Sequence, residues 1–248
     1  MNILSIGNSF SHNAHRFLPR IVAADKSDKE FMLCNLSIGG CPLEKHWNNW
    51  KNEEEAYGYE IYLPGETEMR ITDEVALHEA VEDEDWDVIT LQQASGFSGI
   101  QESYFPYIDE LIAYIRMVKP DAKIGFHQTW AYSQSTGHSA FADYSSNQKV
   151  MFEAIESVTR HLQINSDIDF IIPSGLAFQY ARDTSLGDNL NSEDGYHAND
   201  LGCYLAGACF YEAACGKKIQ DNGYILEGYP PEYTQLLKIC VECAMQQY

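Results

Sequence analysis

A serine near the start of the chain and an aspartate–histidine pair near its end are the residues best suited to chemistry. Ser9 follows an apolar run that ends at Gly7, and a helical pattern begins shortly after it. A hydroxyl at such a strand-to-helix turn lies near backbone N–H groups that can stabilise an oxyanion. Asp194 stands three residues before His197, so its carboxylate can hold one imidazole nitrogen and leave the other facing a serine. The three side chains predict a nucleophile, a base and an orienting acid for acyl transfer.

Glycines and glutamines at two further strand ends could supply hydrogen bonds to an oxyanion beside Ser9. Gly39-Gly40 follows the second predicted strand, where glycine allows a positive φ and a close approach to a substrate. Gln92-Gln93 closes the third predicted strand, and a side-chain amide there could be a further donor. Neighbouring residues of a strand point to opposite faces, so we expect one glutamine to face the site and slightly favour Gln93. Ordinary turn geometry and loop hydrogen bonding are the alternatives.

Aromatic and histidine side chains near two strand ends are candidates for substrate binding. His127 closes the fourth predicted strand and Trp130 follows it, while Trp47 comes soon after the glycine pair. The rings of Trp130 and Tyr132 could stack on a sugar. Packing in the core or in loops is the alternative for each of them.

The elements that must position these residues alternate along the chain as short apolar runs and longer stretches of helical period. This alternation is typical of a parallel sheet with helices on both faces. The predicted strands cover residues 2–6, 31–36, 87–91, 123–127 and 169–172. The predicted helices cover residues 11–24, 72–83, 105–118, 142–162, 199–215 and 231–246. Ligands bind such sheets outside the carboxyl ends of the strands, where the candidate residues fall.

Residues 51–70 do not fit this alternation. They combine three glutamates, three tyrosines and a Leu-Pro-Gly turn. A short hairpin inserted after the second strand, or a lid near the site, is the expected structure. No internal repeat or low-complexity linker is visible, so residues 1–248 are interpreted as one domain.

The order and spacing of three motifs resemble the SGNH hydrolase superfamily, also called the GDSL-type esterases. The motifs are Gly7-Asn8-Ser9-Phe10-Ser11, Gly39-Gly40 and the Asp194/His197 pair. The resemblance spans nearly the whole chain and implies a flavodoxin-like, three-layer α/β/α sandwich with a five-stranded parallel sheet. It also implies ester hydrolysis without a metal or other cofactor, often the removal of acetyl groups from carbohydrates. Ser9 matches the nucleophile, Gly40 the glycine oxyanion donor, and Asp194 and His197 the rest of the triad.

Two departures from the superfamily pattern stand out. The usual Gly-Asp-Ser opening is Gly7-Asn8-Ser9 here, and the Asn8 side chain can still hold the turn. The usual Gly-x-Asn-Asp block after the third strand is absent, and Gln92-Gln93 stands in its place. The sequence therefore indicates a divergent branch, in which the identity of the third oxyanion donor is left open.

Two other kinds of function remain as alternatives. His12 and His15 are three residues apart on a predicted helix and share a face, so with Asp194 and His197 they could form a metal site for hydrolysis. The missing asparagine block and the aromatic loops also fit a non-catalytic carbohydrate-binding protein on the same fold.

Charge and hydropathy limit the partners. The 37 acidic and 16 basic residues give a net charge of −21, which repels nucleic acids and anionic membranes. A neutral small molecule or carbohydrate ester is the expected partner. No apolar stretch approaches the roughly 18 residues of a membrane span. The charge and hydropathy of the sequence do not indicate an oligomeric state.

The seven cysteines mostly lie in apolar periodic segments, as buried thiols do. Cys240 and Cys243 form a C-x-x-C pair, but not in the position that a thioredoxin-like motif takes. Reduced cysteines, and the lack of a visible leader before the first strand, favour the cytoplasm. A leader removed beforehand would leave no trace in this sequence.

Overall fold

A seven-stranded sheet forms the centre of the computed structural model, which describes residues 1–25 and 30–248. The strands are β1 (Asn2–Gly7), β2 (Met32–Ser37), β3 (Tyr57–Tyr62), β4 (Arg70–Val75), β5 (Val88–Leu91), β6 (Lys123–His127) and β7 (Phe170–Ile172). Their order is β4-β3-β2-β1-β5-β6-β7, and β1 pairs in parallel with both β2 and β5. All five stretches that the sequence predicts as strands lie in the parallel part, in the order of a flavodoxin-like sheet.

Helices cover both faces of the sheet. They are α1 (Ser9–His15), α2 (Leu18–Ala24), α3 (Leu43–Lys51), α4 (Leu77–Asp83), α5 (Tyr107–Val118), α6 (Gln148–Asn165), α7 (Ser174–Arg182), α8 (Asp200–Cys215) and α9 (Pro231–Met245). Side chains alternate between the two layers along a strand: Ile3 packs with the layer of α1, α7 and α8, and Leu4 with that of α4 and α5. The parallel strands are therefore buried on both sides, which explains their continuous apolar runs.

The sheet has seven strands rather than the five that the resemblance implies. Most of the stretch 51–70 lies in a hairpin of residues 57–75, in which β3 pairs antiparallel with β2 and β4 with β3. The segment thus extends the sheet at its edge. Residues 72–75 were expected to open a helix, but they belong to β4, whose residues are almost all exposed. An exposed edge strand needs no apolar alternation, so period analysis does not detect it.

Two predicted helices are interrupted and two helices were not predicted. The stretch 11–24 contains α1 and α2, because Pro19 in the first turn of α2 fits a helix start and not a helix interior. The stretch 142–162 begins in a 3₁₀ turn, and α6 starts at Gln148, behind the Asn147 cap. The predicted helices do not include α3 and α7, which follow β2 and β7 closely.

Five of the seven cysteines are buried: Cys34, Cys41, Cys203, Cys209 and Cys240. Burial raises the pKa of Cys240 to about 11. At neutral pH this thiol is protonated, and a protonated thiol is a poor nucleophile. No helix within residues 1–25 and 30–248 combines the length and the hydropathy that crossing a membrane requires.

Candidate active site

Ser9 lies where the central strand turns into the first helix. Gly7 ends β1, Asn8 caps α1, and Ser9 is the first helical residue. The Asn8 side-chain oxygen accepts a hydrogen bond from the Phe10 N–H at 3.0 Å, and the Asn8 N–H donates to Ser11 Oγ at 3.1 Å. A Cβ at Gly7 would collide with Ser11, so this turn requires glycine. The local sequence therefore holds the Ser9 hydroxyl at the carboxyl end of β1.

His197 and Asp194 reach this hydroxyl from the other end of the chain. His197 Nε2 lies 2.8 Å from Ser9 Oγ, and His197 Nδ1 lies 2.7 Å from Asp194 Oδ2. A carboxylate accepts hydrogen bonds only, so Nδ1 carries the imidazole proton and Nε2 is the acceptor for the serine hydroxyl. We call this chain of three side chains the Ser9–His197–Asp194 group.

Asp194 holds both the imidazole and the loop that carries it. Its Oδ1 accepts hydrogen bonds from the backbone N–H groups of Tyr196 at 2.9 Å and His197 at 3.0 Å. Burial by itself raises the pKa of this carboxyl. The hydrogen bonds from Tyr196 and His197 outweigh burial and keep the pKa of Asp194 below its ordinary value. The carboxylate form that the imidazole needs is therefore favoured.

The loop after β6 supports the Asp194–His197 turn from outside. The Ser133 N–H donates to the Gly195 carbonyl at 2.7 Å, and Thr136 Oγ1 donates to the Asp194 carbonyl at 2.9 Å. Gly195 has φ +76°, and a Cβ there would lie 2.8 Å from Thr136. Both the backbone conformation and the close approach of Thr136 require glycine at this position.

We expect Gly195→Ala to destabilise the protein by about 2–4 kcal/mol. Roughly 1 kcal/mol of this comes from the positive φ, and overpacking against Thr136 adds the rest. The matched control is Gly187→Ala, because Gly187 has φ +55° but open space around a Cβ, and it should lose only about 1 kcal/mol. Urea unfolding midpoints measure both. Equal losses would show that Thr136 does not constrain the turn.

Gly40 lies in a turn that is tied to the Ser9 cap. The turn closes through the Cys41 N–H, which donates to the Ile38 carbonyl at 3.1 Å. Gly40 is exposed and has φ +64°. Asn8 Nδ2 donates to the Cys41 carbonyl at 3.2 Å, so one buried side chain joins the Gly40 turn to the cap of α1.

The structure uses the Gln93 amide for other hydrogen bonds. Its Nε2 donates to Ser103 O at 3.0 Å and to Ser103 Oγ at 3.1 Å, and its Oε1 accepts from the Leu43 N–H at 3.0 Å. Both amide protons are engaged, so the preference for Gln93 as an oxyanion donor does not fit this geometry. Gln92 faces the Ser9 cap instead, and its Nε2 donates to Asn8 Oδ1 at 2.7 Å.

Of the three candidates for substrate binding, two are buried and one is half-buried. Trp130 is fully buried between Phe10 and Phe178, with ring centroids 4.4 and 4.6 Å away. Neither face of its ring is open to a sugar. His127 is buried as well. Trp47 is half-buried between α3 and α5, and its Nε1 donates to Glu110 Oε2 at 2.6 Å. Core packing, the alternative reading of these side chains, describes Trp130 and His127.

His12 and His15 point to different parts of the molecule. His15 Nε2 lies 2.9 Å from Ser5 Oγ in the core, where burial lowers the pKa of His15 to about 3. His12 Nδ1 lies 3.0 Å from Glu60 Oε1, and that hydrogen bond raises the pKa of His12. Within the described ranges, no three His, Cys, Asp or Glu side chains are grouped to hold a metal ion. The proposed four-residue metal cluster is therefore not formed.

Sequence reasoning missed three contacts that complete the site. Asn13 Oδ1 accepts a hydrogen bond from the Ala198 N–H at 3.0 Å, which fixes the histidine loop to α1. The Tyr196 ring lies 4.3 Å from that of His197. Trp130 Nε1 donates to the Tyr196 carbonyl at 2.9 Å. Tyr196 stands directly before His197 in the sequence, and only this position could have indicated that it belongs to the site.

Comparison with known proteins agrees with this architecture. The model of a domain family of unknown function, DUF4886, matches residues 2–241. A crystal structure of a DUF4886 family protein from Bacteroides uniformis is 35% identical, with TM-score 0.93, and the match covers 99% of this chain and 95% of that one. Comparison with curated protein sequences found no match.

More distant structures share the fold. A proposed SGNH hydrolase from Slackia heliotrinireducens is 18% identical, with TM-score 0.59 and coverage of 86% of this chain and 98% of that one. The acetylxylan esterase Axe2 from Geobacillus stearothermophilus is 11% identical, with TM-score 0.56 and coverage of 85% and 92%. The chain therefore belongs to the DUF4886 family and has an SGNH-hydrolase-like fold.

Proposed function

We propose that this chain is a single-domain serine esterase that hydrolyses small acyl esters, most simply acetyl esters, on a carbohydrate. The observation that carries the proposal is the Ser9–His197–Asp194 group, in which a hydrogen bond of 2.8 Å joins Ser9 to His197, 188 positions away, and one of 2.7 Å joins His197 to Asp194. A hydroxyl, an imidazole and a carboxylate in this order are the parts that an acyl-enzyme mechanism requires.

The mechanism begins with proton transfer from Ser9 Oγ to His197 Nε2 as Oγ attacks the ester carbonyl. Asp194 keeps the second imidazole proton on Nδ1 and stabilises the imidazolium. The backbone N–H groups of Ser9 and Gly40 stabilise the oxyanion of the tetrahedral intermediate. His197 then donates its proton to the leaving alcohol oxygen, which leaves an acyl-Ser9 ester.

Deacylation repeats these steps with water. His197 Nε2 accepts a proton from the water as the water oxygen attacks the acyl carbonyl. The second tetrahedral intermediate collapses, Ser9 Oγ leaves, and His197 returns the proton to it. The products are the carboxylic acid and the free hydroxyl of the substrate, and no step needs a cofactor.

The substrate class follows from charge and from fold likeness. The net charge of −21 favours a neutral ester over an anionic one. Among proteins of the same fold are acetyl xylan esterases, which makes a carbohydrate acetyl ester the first substrate class to examine. Two further parts of the proposal are a divergent branch of that fold, which Gln92-Gln93 in place of the asparagine block supports, and the cytoplasm, which the predominance of buried thiols supports.

The test is hydrolysis of p-nitrophenyl acetate, butyrate and octanoate and of acetylated xylo-oligosaccharides, with and without EDTA. We expect acetyl esters to be turned over with kcat of about 1–10³ s⁻¹ and the rate to change less than about twofold on chelation, because the proposed steps need no metal. Loss of activity with EDTA would favour a metal-assisted hydrolase. Sugar binding without turnover of any acyl ester would favour a carbohydrate-binding protein.

A further inference from the structure

A row of four buried polar side chains starts at the Ser9 turn and crosses the carboxyl ends of β1, β5, β6 and β7. Gln92 Nε2 lies 2.7 Å from Asn8 Oδ1, and Gln92 Oε1 lies 2.9 Å from His127 Nδ1. His127 Nε2 lies 3.0 Å from Ser174 Oγ, at the start of α7. All four side chains are at most 2% exposed. We call this row the Asn8–Ser174 relay.

The direction of every hydrogen bond in the relay follows from one backbone group. The Phe10 N–H can only donate, so the Asn8 atom that faces it is the oxygen. Gln92 must then donate to that oxygen through Nε2, which turns its own oxygen toward His127. His127 therefore carries its proton on Nδ1 and accepts from the Ser174 hydroxyl at Nε2.

The relay is built to keep one protonation state. Burial lowers the pKa of His127 to about 3, so this imidazole is uncharged at neutral pH. The rings of Phe210 and Trp130 lie against it, with centroids 4.8 and 6.2 Å away. With one tautomer, hydrogen bonds that all run in one direction polarise one another and strengthen the row.

The end of the relay contacts residues next to both backbone donors that the proposed mechanism uses, Phe10 beside Ser9 and Cys41 beside Gly40. The Asn8 side chain makes three hydrogen bonds: Oδ1 accepts from the Phe10 N–H and from Gln92, and Nδ2 donates to the Cys41 carbonyl. The first fixes the turn that carries Ser9, and the last fixes the turn that carries Gly40. Gln92 thus adds a second hydrogen bond to Asn8 Oδ1, which holds the Asn8 amide in the orientation that joins the two turns.

We propose that Gln92 and His127 are positioning residues, which act through Asn8 to set the Ser9 and Gly40 N–H groups at the distance that an oxyanion requires. This inference rests on the proposed function. The glutamine that replaces the asparagine of the superfamily pattern does not donate to the oxyanion; it aligns the groups that do. Small displacements of such donors lower kcat more than they raise KM, because the oxyanion exists only in the transition state.

The first test is Gln92→Met, which keeps side-chain length and removes both hydrogen bonds. We expect kcat for p-nitrophenyl acetate to fall about 10–100-fold, less than loss of a whole donor, with KM changed less than about threefold. Inhibition by methylboronic acid, which forms a tetrahedral anion on the serine, should weaken by the same factor.

The matched control is Gln128→Met. Gln128 is also a fully buried glutamine just beyond a strand end, but its amide joins Thr159, Tyr248 and the Leu176 N–H on the far side of β6. It should lose stability like Gln92→Met and keep kcat within about threefold, because none of its partners touches the Ser9 turn. Equal kcat in the two variants would overturn the proposal.

His127 supplies an independent test of the relay. His127→Leu should lower kcat about as much as Gln92→Met, whereas His127→Asn keeps an N–H donor near the Nδ1 position and should restore most of kcat. The double variant Gln92→Met/His127→Leu should fall no further than either single variant, because the two act through one contact. Additive losses in kcat would contradict a common route through Asn8.

Hydrogen exchange separates failure of this inference from failure of the proposed function. If the wild-type protein turns over no ester, the proposed function fails, and amide hydrogen exchange is then the measurement that tests the positioning role of Gln92. Gln92→Met should then speed amide exchange at least about tenfold in residues 7–12 and 38–42, where Asn8 loses its partner, and Gln128→Met should not. The same exchange in both variants would overturn the relay as a positioning device.

Discussion

Ser9→Ala is expected to lower kcat for ester hydrolysis by about 10⁴–10⁶-fold, the loss typical of removing a serine nucleophile. The reason is local, because Ser9 Oγ is the atom that His197 Nε2 contacts at 2.8 Å. The cap of α1 is formed by Asn8 and Ser11 and not by Ser9, so the fold should persist. Initial rates with p-nitrophenyl acetate, together with thermal unfolding, measure the two effects separately.

A matched serine and a covalent probe make this result specific. Ser95→Ala removes another hydroxyl near the same sheet edge, one that lies 2.9 Å from the Tyr132 hydroxyl, and should change kcat less than about threefold. A fluorophosphonate should add one mass increment to the wild-type protein and to Ser95→Ala, but none to Ser9→Ala. Labelling of Ser9→Ala at another position would show that Ser9 is not the nucleophile.

The parallel strands and the three residues of the site could be predicted because their sequence signals are local. Each parallel strand is buried on both faces, so its sequence is an uninterrupted apolar run that ends in polar residues. Strand ends of one direction meet at one edge of the sheet, where Ser9 follows β1. The three-residue spacing of Asp194 and His197 is the local signal for their hydrogen bond. The approach of their loop to Ser9 depends on packing, because the loop lies between α7 and α8 and is joined to α1 through Asn13.

The hairpin and the environment of the polar side chains could not be predicted, because they depend on packing. β4 is an exposed edge strand with no apolar pattern. Nothing in the sequence separates a surface tryptophan from Trp130, which is enclosed by two aromatic rings. Likewise, Gln92 and Gln93 are identical in type, and only their partners distinguish the one beneath Ser9 from the one bound to Ser103.

Asp194→Asn should inactivate the site while leaving the loop intact. The two backbone N–H groups of Tyr196 and His197 both point at Oδ1, so the oxygen of the new amide must stay there. Its nitrogen then faces His197 Nδ1, which must become an acceptor and give up its proton to Nε2. An Nε2–H cannot take the proton of Ser9, and we expect kcat to fall about 10⁴-fold.

Comparison with Asp194→Ala tests this account of the tautomer. Alanine removes the bonds to the loop as well as the bond to His197, so it should lower stability by about 1–3 kcal/mol, whereas Asp194→Asn should lower it by less. ¹⁵N shifts of the His197 ring should show the proton on Nδ1 in the wild-type protein and on Nε2 in Asp194→Asn. The tautomer of His197 separates two roles of Asp194, orienting the imidazole and holding the loop. An unchanged tautomer and a normal kcat in Asp194→Asn would mean that Asp194 only holds the loop.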